Sequence, residues 1–502
     1  MNWPQDIKGI RLLGLLFPPA GTIALWQSPN IPRPTKVLGT LWLGFFTIIY
    51  AALWSGLALW ALVSTGTLQT EWRGGSYPSF TRTPTLPDYA AVEAHRAAQA
   101  QQPPVAVTNQ NHPKPYWTDF RGPYRDSHYD EQPVLANWPA NGPKLLWRQP
   151  CGGGYASFVV ADGRAFTIEQ RRRTNETVVA YDLGTGRELW AHYYYGLFTE
   201  SMGGDGPRAT PTFYKGKIYA QGALGQLNCL EAATGKLLWS TNILINNGAS
   251  LPAYGTTASP LVVDDKVIVT PGGPGGRSVV AYDAATSAPV WKAFDDRAAY
   301  SSPMLTSLAG QREVVVVTAT RALALNPADG KLLWEYPWVI QSDYRNIPQP
   351  VWVNVNHLFL SAGQGVGGAL LEITKDGTNF FANAVWQNKS LKSKFVSAVL
   401  CDGYLYGLDE GVLVCLDAMT GERKWKKGHY GYGQLLVANG YLVILCGNGD
   451  LALLRADPER RQEIARVPAL HGKTWNCPAI AGGKLLVRNA VEMACFDLRP
   501  GQ

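Results

Sequence analysis

Five stretches of this chain are versions of one eleven-residue pattern: AYDLGTGRELW (Ala180–Trp190), CLEAATGKLLW (Cys229–Trp239), AYDAATSAPVW (Ala281–Trp291), ALNPADGKLLW (Ala324–Trp334) and CLDAMTGERKW (Cys415–Trp425). The consensus A-x-D-x-x-T-G-x-x-x-W has a local mechanism. An apolar strand ends at the Asp, the Asp/Thr side chains and a Gly at positive φ make a tight turn, and a second strand delivers a large Trp. Each copy therefore reads as a β-hairpin.

Two further copies are worn. Leu371 to Trp386 keeps the strand and Asp376-Gly377 but carries five extra residues; Leu453 to Ala465 has Pro458-Glu459 at the turn, and Ala465 stands nearest the Trp position. Between copies lies a second hairpin, as in TPTFYKGKIYAQG from Thr210, SPLVVDDKVIVTPG from Ser259 and SAVLCDGYLYGLDEG from Ser397. Each unit is then four short strands, a propeller blade.

The unit-closing positions are 147, 190, 239, 291, 334, 386, 425 and 465, eight in all at a mean spacing of about 45 residues, as four-stranded blades require. CFDLRPGQ (Cys495 to Gln502) has the front half of the motif without its Trp, and GPKLLW (Gly142 to Trp147) has the back half without its front. One blade is expected to be completed by both ends of the repeat region, which closes the ring and removes its open edge. The fold expected is all-β, an eight-bladed β-propeller over residues 116–502.

Composition agrees. Charged residues are 17% of the 502 against a usual figure of about 25%, and 52 glycines suit a turn-rich β protein. A net charge of +7 without a Lys/Arg block gives nucleic-acid binding no support. The seven cysteines form no C-x-x-C and the seven histidines are scattered, so zinc and c-type haem lose their usual signatures.

Ahead of the repeats, Val37 to Val63 reads VLGTLWLGFFTIIYAALWSGLALWALV, 27 residues without a charge. As a helix this reaches about 40 Å, enough to cross a bilayer. Lys8, Arg11, Arg33 and Lys36 precede it, so the positive-inside rule keeps residues 1–36 cytoplasmic or interfacial and sends the propeller outside the cytoplasmic membrane. The earlier apolar stretch Ile10 to Trp26, broken by Pro18-Pro19, reads as interfacial, with a second kinked span as the alternative. Residues 64–115 are Pro-rich and read as an extended linker.

The repeats resemble the pyrroloquinoline quinone-like (PQQ-like) repeats of eight-bladed quinoprotein dehydrogenases, over about Tyr116 to Gln502. In that family the eleven-residue element is a tryptophan-docking motif. The lead-in WTDFRGPYRDSHYDE (Trp117 to Glu131) also looks like one found in PQQ-like members. Similar repeats occur in the propeller lipoprotein of the outer-membrane β-barrel assembly machinery, which is not an enzyme. The resemblance implies the fold; activity has to be argued from the site.

For an enzyme, the resemblance implies a quinone over the central funnel, with calcium, a general-base Asp and a disulfide between adjacent cysteines. This chain has no adjacent Cys pair, and its loop acids Glu200, Asp205, Asp296 and Asp343 match no calcium or general-base set residue by residue. Cys229, Cys415 and Cys495 stand where other copies have Ala, and Cys477 where they have Thr or Ser, which suits small core fillers. Cys151 lacks a His or Asp motif beside it.

Five connections carry a cation just ahead of the next strand: Arg208, Arg297, Arg345, Lys394 and Lys473. Converging on the funnel mouth, with Trp475 among them, they would form a cofactor-binding well for an anionic ligand. The alternative is five solvated cations, some paired with Asp205, Asp296 or Asp343. Tyr155, Tyr254, Tyr300, Tyr344, Tyr430, Tyr432 and Trp475 either stack on a ligand or plug the axis. Two functions stand on these residues. The first is an extracytoplasmic module of the cell envelope that binds a partner protein. The second is a PQQ-dependent membrane dehydrogenase of an alcohol or sugar, with PQQ and calcium as cofactors. The missing motifs favour the first.

Overall fold

The motif's Asp makes the turn that its short acidic side chain permits. In the computed structural model, which describes residues 6–103, 115–340 and 346–500, Asp182 Oδ1 accepts from the amides of Gly184 and Thr185 and from the Thr185 hydroxyl. Asp283 and Asp417 hold the same turn. The first and last motif positions face each other across the two strands: Ala180 with Trp190, Cys229 with Trp239, Cys415 with Trp425. In these copies a small residue thus stands opposite the Trp, and a β-bulge follows it directly.

Each indole then leaves its own blade. Trp147 donates to Leu183 O, Trp190 to Ala232 O, Trp291 to Pro327 O and Trp386 to Ala418 O, at 3.0–3.2 Å. All four acceptors are the fourth motif residue of the next blade. The ring lies against that blade's motif glycine: a Cβ on Gly186, Gly235, Gly330 or Gly421 would come within 2.5–2.6 Å of the preceding Trp. These glycines also sit at φ +71° to +74°, where an L side chain is strained.

Repetition of this contact gives eight sheets in a ring. Blades 1 to 7 run in chain order from 159–195 to 434–468, and blade 7 gains His128–Tyr129 as a fifth, parallel strand. Blade 8 takes three strands from 479–497 and its outermost from Lys144–Pro150, with Trp147 facing Cys495. The two half-motifs complete one another as their sequences imply.

At the centre, the residues that begin the innermost strands are linked side by side. Ser157 N donates to Thr210 Oγ1, Thr210 N to Ser259 Oγ, Ser259 N to Ser302 Oγ, Ser302 N to Gln349 Oε1 and Gln349 N to Ser397 Oγ, at 2.6–2.9 Å. Cys477 holds the same place, accepting at its carbonyl from Ser157 Oγ. Beneath this ring the lead-in segment is wound tightly, with Arg121, Arg125 and Ser127 at φ 59–63°. Buried Arg125 donates to Ser259 O, Pro260 O and Pro303 O and pairs with Asp119, while Arg121 reaches Ala398 O. Two cations stripped of water are held by carbonyls and a carboxylate, and they stitch several blades together.

Blade 5 is the exception. Its outer hairpin is extended, Gly367–Asp376 against Asn379–Asn388, and Leu370 faces Trp386, one residue earlier than the sequence reading placed it. This blade offers no motif turn to Trp334, whose indole donates instead to Glu313 Oε1 of its own blade at 2.9 Å. Glu313 is fully buried and its other oxygen meets no partner among the described residues. Burial pushes its carboxyl up to about 8 against the pull of the Trp334 hydrogen bond.

The chain ahead of the propeller separates into residues up to Glu71 with Pro78–Pro84, and a remainder, Trp72–Tyr77 and Thr85 onward, that belongs with the propeller. In the first unit α1 (Ile7–Leu16), α2 (Pro18–Gln27) and α3 (Arg33–Ser64) pack together, and α3 is long and apolar enough to cross a membrane. The expected extended linker is ordered in part. Tyr89–Ala100 forms α4, capped by Asp88. Its Arg96 is buried against blades 8 and 1, donating to Gln149 Oε1 and Pro150 O and pairing with Glu188. Of the expected prolines, Pro104 and Pro113 lie outside the described residues.

Two measurements test this account. Gly235→Ala and Gly216→Ala both force alanine to φ +74° or +75°, but only the first brings a methyl onto Trp190, since nothing stands within 4 Å of Gly216. Both should lose about 1 kcal/mol to strain, and Gly235→Ala a further ~1–3 kcal/mol to overpacking, read as the larger fall in Tm. Glu313, protonated when folded up to about pH 8, would ionise near pH 4.3 when unfolded. Its contribution is therefore complete below that value and is lost as pH rises towards 8. Glu313→Gln should flatten the fall of Tm across this window and leave the variant more stable than the native chain at pH 8.

Candidate functional site

The connections that leave each outer strand return to the ring's centre, and there they enclose a cavity of about 190 Å³. Its floor is the inter-blade ring, with Ser302, Gln349, Ser397 and Cys477, and Phe120 of the lead-in segment also lines it. Its walls include Tyr155, Arg208, Tyr300, Lys394, Phe395 and Trp475.

Of the six residues singled out in the sequence, Arg208, Lys394 and Trp475 line the cavity. Lys473 packs its ammonium 4.6 Å from the Trp475 ring centre. Arg297 is exposed and does not line the cavity; Asp296 beside it accepts from Thr318 and Thr320 and pairs with Arg321. Arg345, with Asp343 and Tyr344, lies outside the described residues.

Each cation at the cavity has acceptors in its own chain. Arg208 pairs with Glu200 Oε1 at 2.9 Å, donates to Gly206 O and lies over Tyr155 and Phe198. Lys394 donates to Gly74 O at 2.6 Å and Lys473 to Met202 O at 3.1 Å. The aromatic groups form one continuous cluster. Tyr155 stacks on Trp475 at 5.3 Å, Phe395 meets Trp475 at 4.8 Å, and Tyr432 meets Phe395 at 5.3 Å. Tyr254 and Tyr300 pair edge to face across the cavity. Tyr430 is buried elsewhere, against Glu463 and Arg461.

The residue that the sequence reading missed is Trp72. It sets its edge on Trp475, ring centres 5.4 Å apart, and touches Phe395, with its N–H held by Gly75 O. Gly74 beside it lies so close to Tyr432 that no Cβ could be added. The signal was a lone Trp, in EWRGG, between Trp60 and Trp117. In a polar, Pro-rich segment such a side chain needs an apolar seat.

The loop acids weighed for calcium already have partners where the structure describes them. Glu200 is engaged by Arg208 and by the amides of Met202 and Gly203, and Asp205 by Tyr89. Among the described residues no three His, Cys, Asp or Glu stand together at metal-holding distance. Burial pushes the Cys151 thiol up to about 12 and Cys477 to about 11, so neither offers a thiolate at neutral pH.

Residues 174–427 match the PQQ_2 family, described as "Outer membrane protein assembly factor BamB". The chain belongs to this family. A relative, the dehydrogenase subunit of a quinone alcohol dehydrogenase from Gluconacetobacter polyoxogenes, is 25% identical over 217 residues, 41% of this chain and 29% of that protein's length. Among solved structures, BamB from Moraxella catarrhalis aligns with a TM-score of 0.50 at 18% identity, covering 70% of this chain and 99% of its own. Quinohemoprotein alcohol dehydrogenase from Comamonas testosteroni gives 0.54 at 15% identity, covering 82% and 86%. Family membership and both structures agree on the propeller.

If Trp72 fills the mouth, removing it should open a seat for a small aromatic anion. Trp72→Ala is expected to bind anilinonaphthalene sulfonate saturably, with a fluorescence rise that the native chain lacks and an unchanged β-sheet circular dichroism spectrum.

Proposed function

We propose that this chain is a membrane-anchored, extracytoplasmic propeller whose loop-lined face binds a protein partner of the cell envelope. One observation carries the reading: the central cavity is narrowed by side chains of the chain itself, while the connections between blades expose large apolar side chains. Trp72, Phe395, Trp475 and Tyr155 occupy the mouth, and the remaining space of about 190 Å³ falls below the roughly 300–1,000 Å³ of ordinary ligand pockets. Around it the connections expose Leu197, Ile245, Leu251 and Val339, Ile245 at 79% of its surface. Large apolar side chains on rigidly mounted loops are what a protein partner buries. Membership of a family described by an assembly factor points the same way. The single helix α3, with Arg33 and Lys36 at its start, supports anchoring with the propeller outside.

A second reading, a PQQ-dependent dehydrogenase, rests on the convergence of Arg208, Lys394, Lys473 and Trp475 at one cavity. Titrating the detergent-solubilised chain with PQQ and calcium by calorimetry, beside dye-linked alcohol and sugar oxidation, separates the two. The binding reading expects no heat and no turnover. It also expects a photo-crosslinker at Ile245 to give one discrete protein adduct in cells, absent when the crosslinker replaces Lys331 in an exposed turn between outer strands. Calcium-dependent binding with turnover, weakened by Arg208→Ala, would replace this reading with the enzyme.

A further inference from the structure

The first unit carries a feature that neither the family nor the propeller explains. Residues 7–27 do not form one continuous helix. They fold into two ten-residue helices that turn back on each other at Phe17. The packing is glycine-mediated: a Cβ on Gly21 would lie 2.4 Å from Gly14 Cα, one on Gly14 2.2 Å from Leu43, and one on Gly39 2.6 Å from Leu25. This hairpin therefore lies flush against α3.

Its depth along α3 follows from its contacts. At the base, Trp26 Nε1 donates to Thr40 Oγ1 and Lys36 Nζ to Trp26 O. At the tip, the Tyr50 hydroxyl donates to Leu15 O. From Lys36 to Tyr50 is about 20 Å of helix, and Tyr50 is the midpoint of the uncharged run Val37 to Val63. The tip thus reaches the middle of the span and no further. Each ten-residue helix measures about 15 Å, half the hydrocarbon thickness of about 30 Å.

The tip is chemically fit for hydrocarbon. Leu16 and Phe17 expose 69% and 61% of their surface, and Leu12 is equally bare. Of the four amide positions that open α2, Pro18 and Pro19 have no N–H, and Ala20 and Gly21 both donate to Phe17 O. In lipid, where no water can serve an open amide, such a start leaves no N–H of these four positions without a partner. The charged residues Asp6, Lys8 and Arg11 all stand towards the base, with Arg33 and Lys36. Between α1 and α3 runs a groove of about 510 Å³ lined by Ile7, Ile10, Leu38, Trp42 and Leu43, with Arg11 on it.

We propose that α1 and α2 form a re-entrant hairpin sunk into one leaflet, on the Arg33 side of α3, with a phospholipid acyl chain in the α1–α3 groove and the lipid phosphate at Arg11. It rests on the membrane reading of α3 and is independent of what the propeller binds.

The test places single cysteines at Lys8, Phe17, Asn30 and Leu53 of the full chain in vesicles of phosphatidylcholine with phosphatidylglycerol. The native chain, with its seven largely buried cysteines, serves as the blank. A fluorophore at Phe17 should be quenched about twofold or more better by mid-chain than by headgroup spin-labelled lipid, as a bilayer-centre position requires. Lys8 and Asn30 should show the reverse, and both should react with impermeant maleimide from the same side. Leu12→Cys repeats the measurement should Phe17→Cys disturb insertion. Labelling of Phe17→Cys and Leu12→Cys from water overturns the hairpin in favour of an interfacial helix, and Lys8 and Asn30 on opposite sides overturn it in favour of a second span. Water access at Leu53→Cys would instead overturn the membrane reading itself.

Discussion

The molecule depends on one contact: an indole set against the turn of the next blade, where four of the receiving turns offer a glycine. The contact needs three things of the sequence at once. The turn offers a carbonyl to the indole N–H, the glycine lacks a Cβ where the ring lies, and a small residue stands opposite the Trp in every motif copy but that of Trp386, which faces Leu370. These requirements belong to different blades, so the motif is an interface rule written across neighbours. Because most blades both give and receive, they are not complete alone.

That view accounts for where the pattern fails. Blade 5 has traded its short turn for an extended hairpin, and its neighbour's Trp334 is left without the usual acceptor. A buried carboxyl substitutes for the carbonyl. Glu313 supplies the hydrogen bond, but it does so by holding a proton well above the ordinary carboxylate range. One joint of the ring therefore loses stability as pH rises from about 4 towards 8 in a way the others do not.

The fold was legible because its determinants are local and repeated: Asp, Gly and Trp at fixed spacing announce hairpin, turn and docking partner in eleven residues. The split blade was legible for the same reason, as two halves of one pattern. The site was legible only in part. Arg208, Lys394 and Lys473 precede strands that begin at the axis, so their convergence follows from the topology. What they touch does not, because Gly74 and Met202 carbonyls are reached through loop conformations that no spacing encodes. Trp72 fell in a segment whose prolines signal an extended chain, and only the vacant aromatic seat beside Trp475 gives it a place. Arg297 is exposed away from the cavity lining, and Asp296 before it is engaged by neighbouring threonines and Arg321.

The strand shared by the two ends of the ring has a consequence for how the molecule comes into being. Trp147 meets Cys495 across nearly 350 residues of chain, a distance over which loop closure is costly in entropy and slow. A chain that emerges from its amino end carries Lys144–Pro150 as a bare edge while seven blades assemble behind it. Throughout that interval the nascent protein presents a template for the wrong strand as well as the right one. The strand Glu492–Asp497 acts as the lock that ends this exposure.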